Sequence, residues 1–235
     1  MVWTKLRFTA GLTSFTFYSF VQEGFQVEHE NELVLQVCLS IECRVNSDDC
    51  LMEKPTSYCQ FVDSLEEDHV HRIYHDQHYG FPIDSDDELF CRLVLEINQA
   101  GLSWTTILNK QDNFRMAYSN FSIQEVAQYG DADVERLLQD AGIIRNKLKV
   151  HAAIYNANQI GALQESFGSF QHWLAHHHPL PLQDWVKLFK KTFKFTGGEI
   201  TNEFLMSTGY LPGAHIATCS IYPKVLKASP KWNRG

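Results

Sequence analysis

Two thiols and two imidazoles, split between distant parts of the 235-residue chain, constrain its fold more than any other feature. Cys59 and His75 lie in the first third, and His215 and Cys219 lie near the C-terminus. Together they make a Cys₂His₂ set, a donor combination that suits tetrahedral zinc. His215 and Cys219 are four apart, and on a helix they would share one face. A site closed by these four would clip the beginning of a domain to its end. The spacing leaves a second reading open, a buried thiol and unrelated surface histidines, because Cys59 to His75 is longer than a usual finger knuckle.

The length fits one domain, or one domain with an extension. A hydrophobic fraction of 44% supports a real core. No apolar run approaches the ~20 residues that span a bilayer, which leads to the expectation of a soluble protein with no membrane partner. The six cysteines are not spaced as a disulfide framework: Cys38, Cys43 and Cys50 have no evident partners, and a reducing compartment is expected. The net charge of −8 argues at first against nucleic acid, but the charges are unevenly placed. Residues 1–70 hold twelve acids and four bases, residues 71–140 twelve acids and five bases, and residues 141–235 four acids and eleven bases. That asymmetry suggests a basic face able to follow a phosphate backbone, with an ordinary solvated surface as the alternative.

Residues 1–51 are read as an N-terminal extension outside the core, faintly like a targeting segment but poor in arginine, with Met52 as an alternative start. Residues 52–235 are read as one all-α domain. Ser85 and Glu88 form a capping box, followed at the helical period by Leu89, Phe90, Leu93, Val94 and Ile97, with Gly101 ending the helix. Ser103 caps the next helix. Ser122 and Glu125 form a second box, and a short helix around Val134, Leu137 and Leu138 stops at Gly142. A longer helix is expected over 146–160, a short one around Phe170 and Trp173, and a basic one around Trp185, Leu188 and Phe189. The last helix is placed at Phe204–Met206, ending near Gly209. His176, His177 and His178, just before Pro179, are assigned to a loop.

Glu96 stands out on physical grounds. At about 100° per residue it falls beside Leu89 and Leu93 on an apolar helix face. Burial there would raise its pKa unless a partner offsets the cost, and such a group is either a paired structural residue or part of a site. Trp104 opens the next helix eight residues on. A carboxylate near an indole suits a flat, cationic, hydrogen-bonding ligand. Tyr74, next to His75, offers a further ring and hydroxyl.

These residues carry a resemblance. Tyr74-His75-Asp76, Gly80-Phe81-Pro82, Leu95-Glu96 with Gln99-Ala100-Gly101-Leu102-Ser103-Trp104, and Asp140-Ala141-Gly142-Ile143-Ile144-Arg145-Asn146 occur in that order. Phe193-Lys194-Phe195, Phe204-Leu205-Met206 and the closing His215/Cys219 pair follow. Over roughly residues 58–223 the chain resembles the 3-methyladenine DNA glycosylase I family. The resemblance implies a helix-hairpin-helix glycosylase domain with one structural zinc held by Cys59, His75, His215 and Cys219. It implies excision of 3-methyladenine from alkylated double-stranded DNA, in base-excision repair, by a monomer that has no lyase step. Glu96 would be the catalytic carboxylate that reads the base edge, and Tyr74, Trp104 and Tyr79 would bind the base. Leu102 would wedge into the base stack, or else pack in the core. Gly142, Ile143, Arg145 and Lys147 would form the DNA-binding hairpin, with Lys149 extending its positive surface. No general base is implied, since the aspartate that many related glycosylases use is missing from its usual place.

The chain departs from the commonest family pattern in the longer Cys59–His75 gap, in Tyr79 where tryptophan is more usual, and in Leu211-Pro212-Gly213-Ala214 before His215. A cytoplasmic, nucleoid-associated location is implied for a bacterial protein, with an organelle or nucleus open. Two other functions are weighed: altered alkylpurine specificity, and a DNA-binding module that has lost excision. A zinc hydrolase fits poorly, because four protein ligands leave no open position for water.

Overall fold

The structure, a computed structural model, describes residues 6–10, 13–17 and 55–234. Chain contacts divide it into two units, Met1–Glu53 and Lys54–Gly235. In the first, β1 (Leu6–Ala10) pairs antiparallel with β2 (Thr13–Phe17), Leu6 opposite Phe17. Met52, Cys38, Cys43, Cys50 and the rest of the expected extension lie outside the described residues.

The second unit is helical throughout, as expected. Its elements are α1 (Tyr58–Asp63), α2 (Val70–Gln77), α3 (Asp86–Gln99), α4 (Trp104–Leu108), α5 (Gln111–Ala117) and α6 (Ile123–Val126). They continue with α7 (Asp131–Gln139), α8 (Lys147–Phe167), α9 (Phe170–His177), α10 (Leu182–Thr192), α11 (Gly198–Ser207) and α12 (Tyr222–Lys227). The serine caps form as expected, but only half of each box. Ser85 accepts from the Glu88 amide at 3.4 Å and Ser122 from the Glu125 amide at 3.3 Å. Glu88 does not reach back to its cap; it takes Arg115 instead in a two-pronged pair of 2.7 and 2.8 Å.

The central element is α3. Leu89 through Asn98 are all buried, so this helix is enclosed on every side rather than laid on a surface. Leu89, Phe90 and Leu93 are fully covered. A second part of the core is aromatic: Phe170, Trp173, Phe189, Phe193 and Phe204 pack with ring centroids 5.3–6.2 Å apart. Such contacts add to burial by roughly 0.5–1.5 kcal/mol per pair.

Three sequence expectations are corrected. The long helix does not stop near residue 160 but runs to Phe167; Gly161 is tolerated inside it, and the stop is Gly168, left-handed at φ 84°. His176 and His177 are not in a loop: they close the last turn of α9, where His177 Nδ1 meets the Trp173 carbonyl at 2.8 Å. Phe204–Met206 is not in the last helix, since α12 follows. His215 and Cys219 lie in a stretch of bends and turns between α11 and α12, so the shared helix face that a spacing of four would give does not arise.

Candidate functional site

Cys59 (α1), His75 (α2), His215 and Cys219 meet, all buried, with their ligand atoms within 4.8 Å of one another. Cys59 Sγ and Cys219 Sγ lie 3.8 and 3.5 Å from His215 Nδ1, and Cys219 Sγ lies 3.7 Å from His75 Nε2. A tetrahedron with bonds of ~2.3 Å to sulfur and ~2.0 Å to nitrogen has edges of roughly 3.3–3.8 Å, with sulfur–nitrogen edges near ~3.5 Å. The remaining imidazole nitrogens are engaged as in a metal site: His75 Nδ1 with the Asp76 carboxylate at 2.6 Å, and His215 Nε2 with the Tyr79 carbonyl at 2.8 Å. The donor set can therefore hold a metal ion, which favours the first of the two readings that spacing left open.

Gly80 makes the cluster possible. It sits at φ +81°, and a Cβ there would stand 2.7 Å from the Ala214 Cβ and 3.2 Å from the His215 ring. Gly80→Ala is therefore expected to cost about 2–4 kcal/mol, combining left-handed strain with a displaced ligand. It should also lower bound metal per chain, as read by thermal unfolding and metal analysis. A variant with full metal content and unchanged stability would refute this.

Next to the cluster lies a cavity of about 720 Å³, lined by Tyr58, Tyr74, Tyr79, Glu96, the Gln99–Gly101 turn, Trp104, and Gly197–Ile200 with Glu203 of α11. Such a volume suits a small ligand. The polar side chains buried in α3 explain its chemistry. Asn98 donates to the Val94 carbonyl at 2.8 Å, and Arg92 donates to the Tyr74 hydroxyl at 2.8 Å. Glu96, 5% exposed, has no hydrogen-bond partner among the described residues and faces the cavity. Burial pushes its carboxyl up to about 8, against a downward pull from Arg92 and an upward push from Glu203.

Since the folded value lies above the unfolded one near 4.5, the stability linked to this proton is complete below the unfolded pKa. It drains away as pH rises through about 8. Melting temperature should therefore fall from pH 5 to pH 9 more steeply in the wild type than in Glu96→Gln. Equal slopes would contradict the buried, protonated acid.

The aromatic wall is continuous. The Tyr74 and Trp104 rings stand 5.1 Å apart edge-on, Tyr74 and Tyr79 5.5 Å apart, and Tyr58 and Tyr79 5.5 Å apart. Burial raises the Tyr74 and Tyr79 phenols above their usual range, so both remain protonated. The Trp104 indole N–H is buried with no partner among the described residues, the kind of orphan donor that a ligand acceptor satisfies. Tyr79 donates to Glu203 at 3.3 Å, and burial raises the Glu203 carboxyl.

The sequence reading missed Tyr58, Arg92, Glu199 and Glu203. Glu203 was detectable by the criterion that found Glu96. It stands three residues after Ile200 and beside Phe204, on the edge of an apolar helix stripe.

The remaining expected residues divide. Arg145 and Lys147 are exposed at the start of α8, and Leu102 is 39% exposed, which removes the core-packing reading for it. Ile143 is buried, so only its backbone could reach a DNA strand. The Gly142 amide is already taken by Asp140 Oδ1 at 2.7 Å, and its carbonyl by Lys110. Lys149 does not extend a positive surface. It is buried, and its ammonium donates to the Asn98 and Ala100 carbonyls at 2.9 and 2.8 Å. A cation at the C-terminal end of α3 satisfies carbonyls the helix leaves open. It thereby ties α8 to the turn that carries Leu102 and leads into Trp104.

The sequence model of the methyladenine glycosylase family matches residues 64–222. The chain belongs to that family. DNA-3-methyladenine glycosylase 1 of Escherichia coli is 35% identical over 68% of this chain and 95% of its own length. The DNA-3-methyladenine glycosylase of Haemophilus influenzae is 30% identical over 70% of this chain and 97% of its own. A solved structure of a variant 3-methyladenine DNA glycosylase I in complex with 3-methyladenine aligns with a TM-score of 0.61 at 28% identity. It covers 67% of this chain and 95% of that one. The methyladenine glycosylase match takes in Glu96, Trp104, Tyr74 and three of the four metal-site residues beyond Cys59.

Proposed function

We propose that this protein excises 3-methyladenine from alkylated double-stranded DNA by hydrolysing the N-glycosidic bond, in base-excision repair. The observation that carries the reading is Glu96, a carboxyl buried at the wall of an aromatic cavity with no hydrogen-bond partner among the described residues. Methylation at N3 makes the purine cationic and loosens its bond to the sugar. An enzyme for such a base must mainly find it, flip it and hold it. Glu96, ionising as the cation enters, accepts hydrogen bonds from the base edge and rewards positive charge over neutral adenine. Trp104, Tyr74 and Tyr79 stack on or edge the ring, each contributing roughly 0.5–2 kcal/mol toward a cation. Water attacks the sugar carbon, the carbon–nitrogen bond breaks, and its electron pair neutralises the departing base. The proton lost by the water goes to solvent, and no general base is assigned. With no lysine nucleophile the reaction ends at base release.

Zinc is the metal we assign to Cys59, His75, His215 and Cys219, as a structural clip with no open coordination position. Arg145, Lys147 and the backbone of 143–145 would take the phosphates, and Leu102 would enter the stack the base has left. Among the described residues no helix is long and apolar enough to cross a membrane. A monomer working on DNA in the bacterial cytoplasm, nucleoid-associated, fits this reading. The test is release of free 3-methyladenine from methylated duplex DNA by the metal-replete protein; none released would overturn it.

A second reading is favoured by Glu203 and Tyr79. A second carboxyl in the same cavity would suit alkylpurines with a further donor edge, such as 3-methylguanine. A panel of alkylated bases separates the two.

A further inference from the structure

The Phe193-Lys194-Phe195 motif has no part in the base pocket, yet it is built with care. Phe193 is buried in the aromatic core, while Phe195, two residues on, is 41% exposed and holds a left-handed backbone at φ +63°. An aromatic residue at positive φ costs of order 1–3 kcal/mol and persists only where its surroundings impose it. Here the constraint is explicit. Asn156 of α8, fully buried, grips Lys194 with both ends of its amide. Its nitrogen donates to the Lys194 carbonyl at 3.1 Å, and its oxygen accepts from the Lys194 amide at 2.8 Å.

The presented ring lies in a groove lined by Lys190, Phe193, Lys194, Phe195, Thr196, Gly197 and Ile200. Gly197 and Ile200 also line the base cavity, so groove and cavity adjoin. Lys190, Lys191 and Lys194 are exposed around it, and the Lys194 ammonium sits 5.0 Å from the centre of the Tyr155 ring. The carboxylates of Glu96, Glu199 and Glu203 line the cavity rather than the groove.

We propose that this groove is a second nucleotide subsite: Phe195 stacks on an unstacked base beside the flipped nucleotide, and Lys190 and Lys194 hold the adjoining phosphates. A ring with lysines on one side and a base pocket on the other matches single-stranded nucleic acid, whose bases offer π-faces and whose backbone offers charge. Flipping one nucleotide unstacks its neighbours, and a fixed platform would capture the exposed face. The inference rests on the proposed action on DNA, and it explains why strain is held at this position.

The decisive variant is Phe195→Gly, which relieves the backbone strain while removing the ring. Binding is measured by anisotropy to a duplex with one tetrahydrofuran abasic site, at fixed salt, beside Phe195→Trp. Base capture is measured with free 3-methyladenine. The subsite predicts that Phe195→Gly is at least as stable to heat as wild type, binds the duplex at least tenfold more weakly, and binds free base within twofold. Phe195→Trp should restore duplex affinity. An unchanged duplex affinity, or equal losses for duplex and free base, would overturn the subsite. Absence of 3-methyladenine release by the wild type would overturn the proposed function instead, while the duplex measurement still reports on Phe195.

Discussion

Replacing Glu96 by Gln is expected to slow 3-methyladenine release by roughly 10²-fold, with duplex affinity little changed. A hydrogen bond from a charged partner is worth about 1.5–3 kcal/mol, and attraction to a cation in a dry cavity adds to it. The amide keeps the volume and one acceptor of the carboxylate but loses the charge that a methylated purine needs. In the empty protein the sign is opposite. Glu96 is buried without a hydrogen-bond partner, so the neutral isostere should leave stability unchanged or raise it, most clearly at high pH. Single-turnover release of base, with thermal unfolding of the same samples, separates the two effects. Release within twofold of wild type would remove Glu96 from the centre of the site. A loss matched by a fall in stability would make it a structural residue.

Stripping the metal, or replacing Cys219 by Ala, is expected to lower the melting temperature by at least ~10 °C and to abolish release through loss of the fold. Four buried ligands from three separate stretches converge on one point. Binding free energies for such structural sites run to ~10 kcal/mol or more, comparable to the whole stability of a domain. For a domain of this size each kcal/mol moves the melting point by about 2–4 °C. Metal analysis should give one zinc per folded chain, and Cys59→Ala should behave like Cys219→Ala. If chelation left unfolding untouched while release stopped, the metal would be catalytic and the structural assignment wrong.

What the sequence made legible was local. Ser85, Ser103 and Ser122 announce helix starts because a side-chain oxygen reaching an amide three residues on is a short-range event. Glu96 was legible because a carboxyl on an apolar stripe is anomalous wherever it occurs. The errors came from interactions across the chain. Lys149 looked like surface charge, since nothing nearby in sequence reveals carbonyls at residues 98 and 100 waiting for an ammonium. The helix expected over 146–160 continues through Gly161 to Phe167, since a long helix packed along much of its length tolerates a glycine that intrinsic propensity disfavours. The α11 wall of the cavity, with Glu199 and Glu203, enters the site only by packing against α3.

The metal cluster also sets a schedule. Cys59 and His75 leave the ribosome about 140 to 160 residues ahead of His215 and Cys219, an interval on the order of ten seconds at ordinary rates of synthesis. Throughout that time the nascent protein offers half a binding site, two donors too few to retain an ion. The site can therefore close only after Cys219 has been made, and a product interrupted before it lacks half of the donors that join α1 and α2 to the stretch after α11.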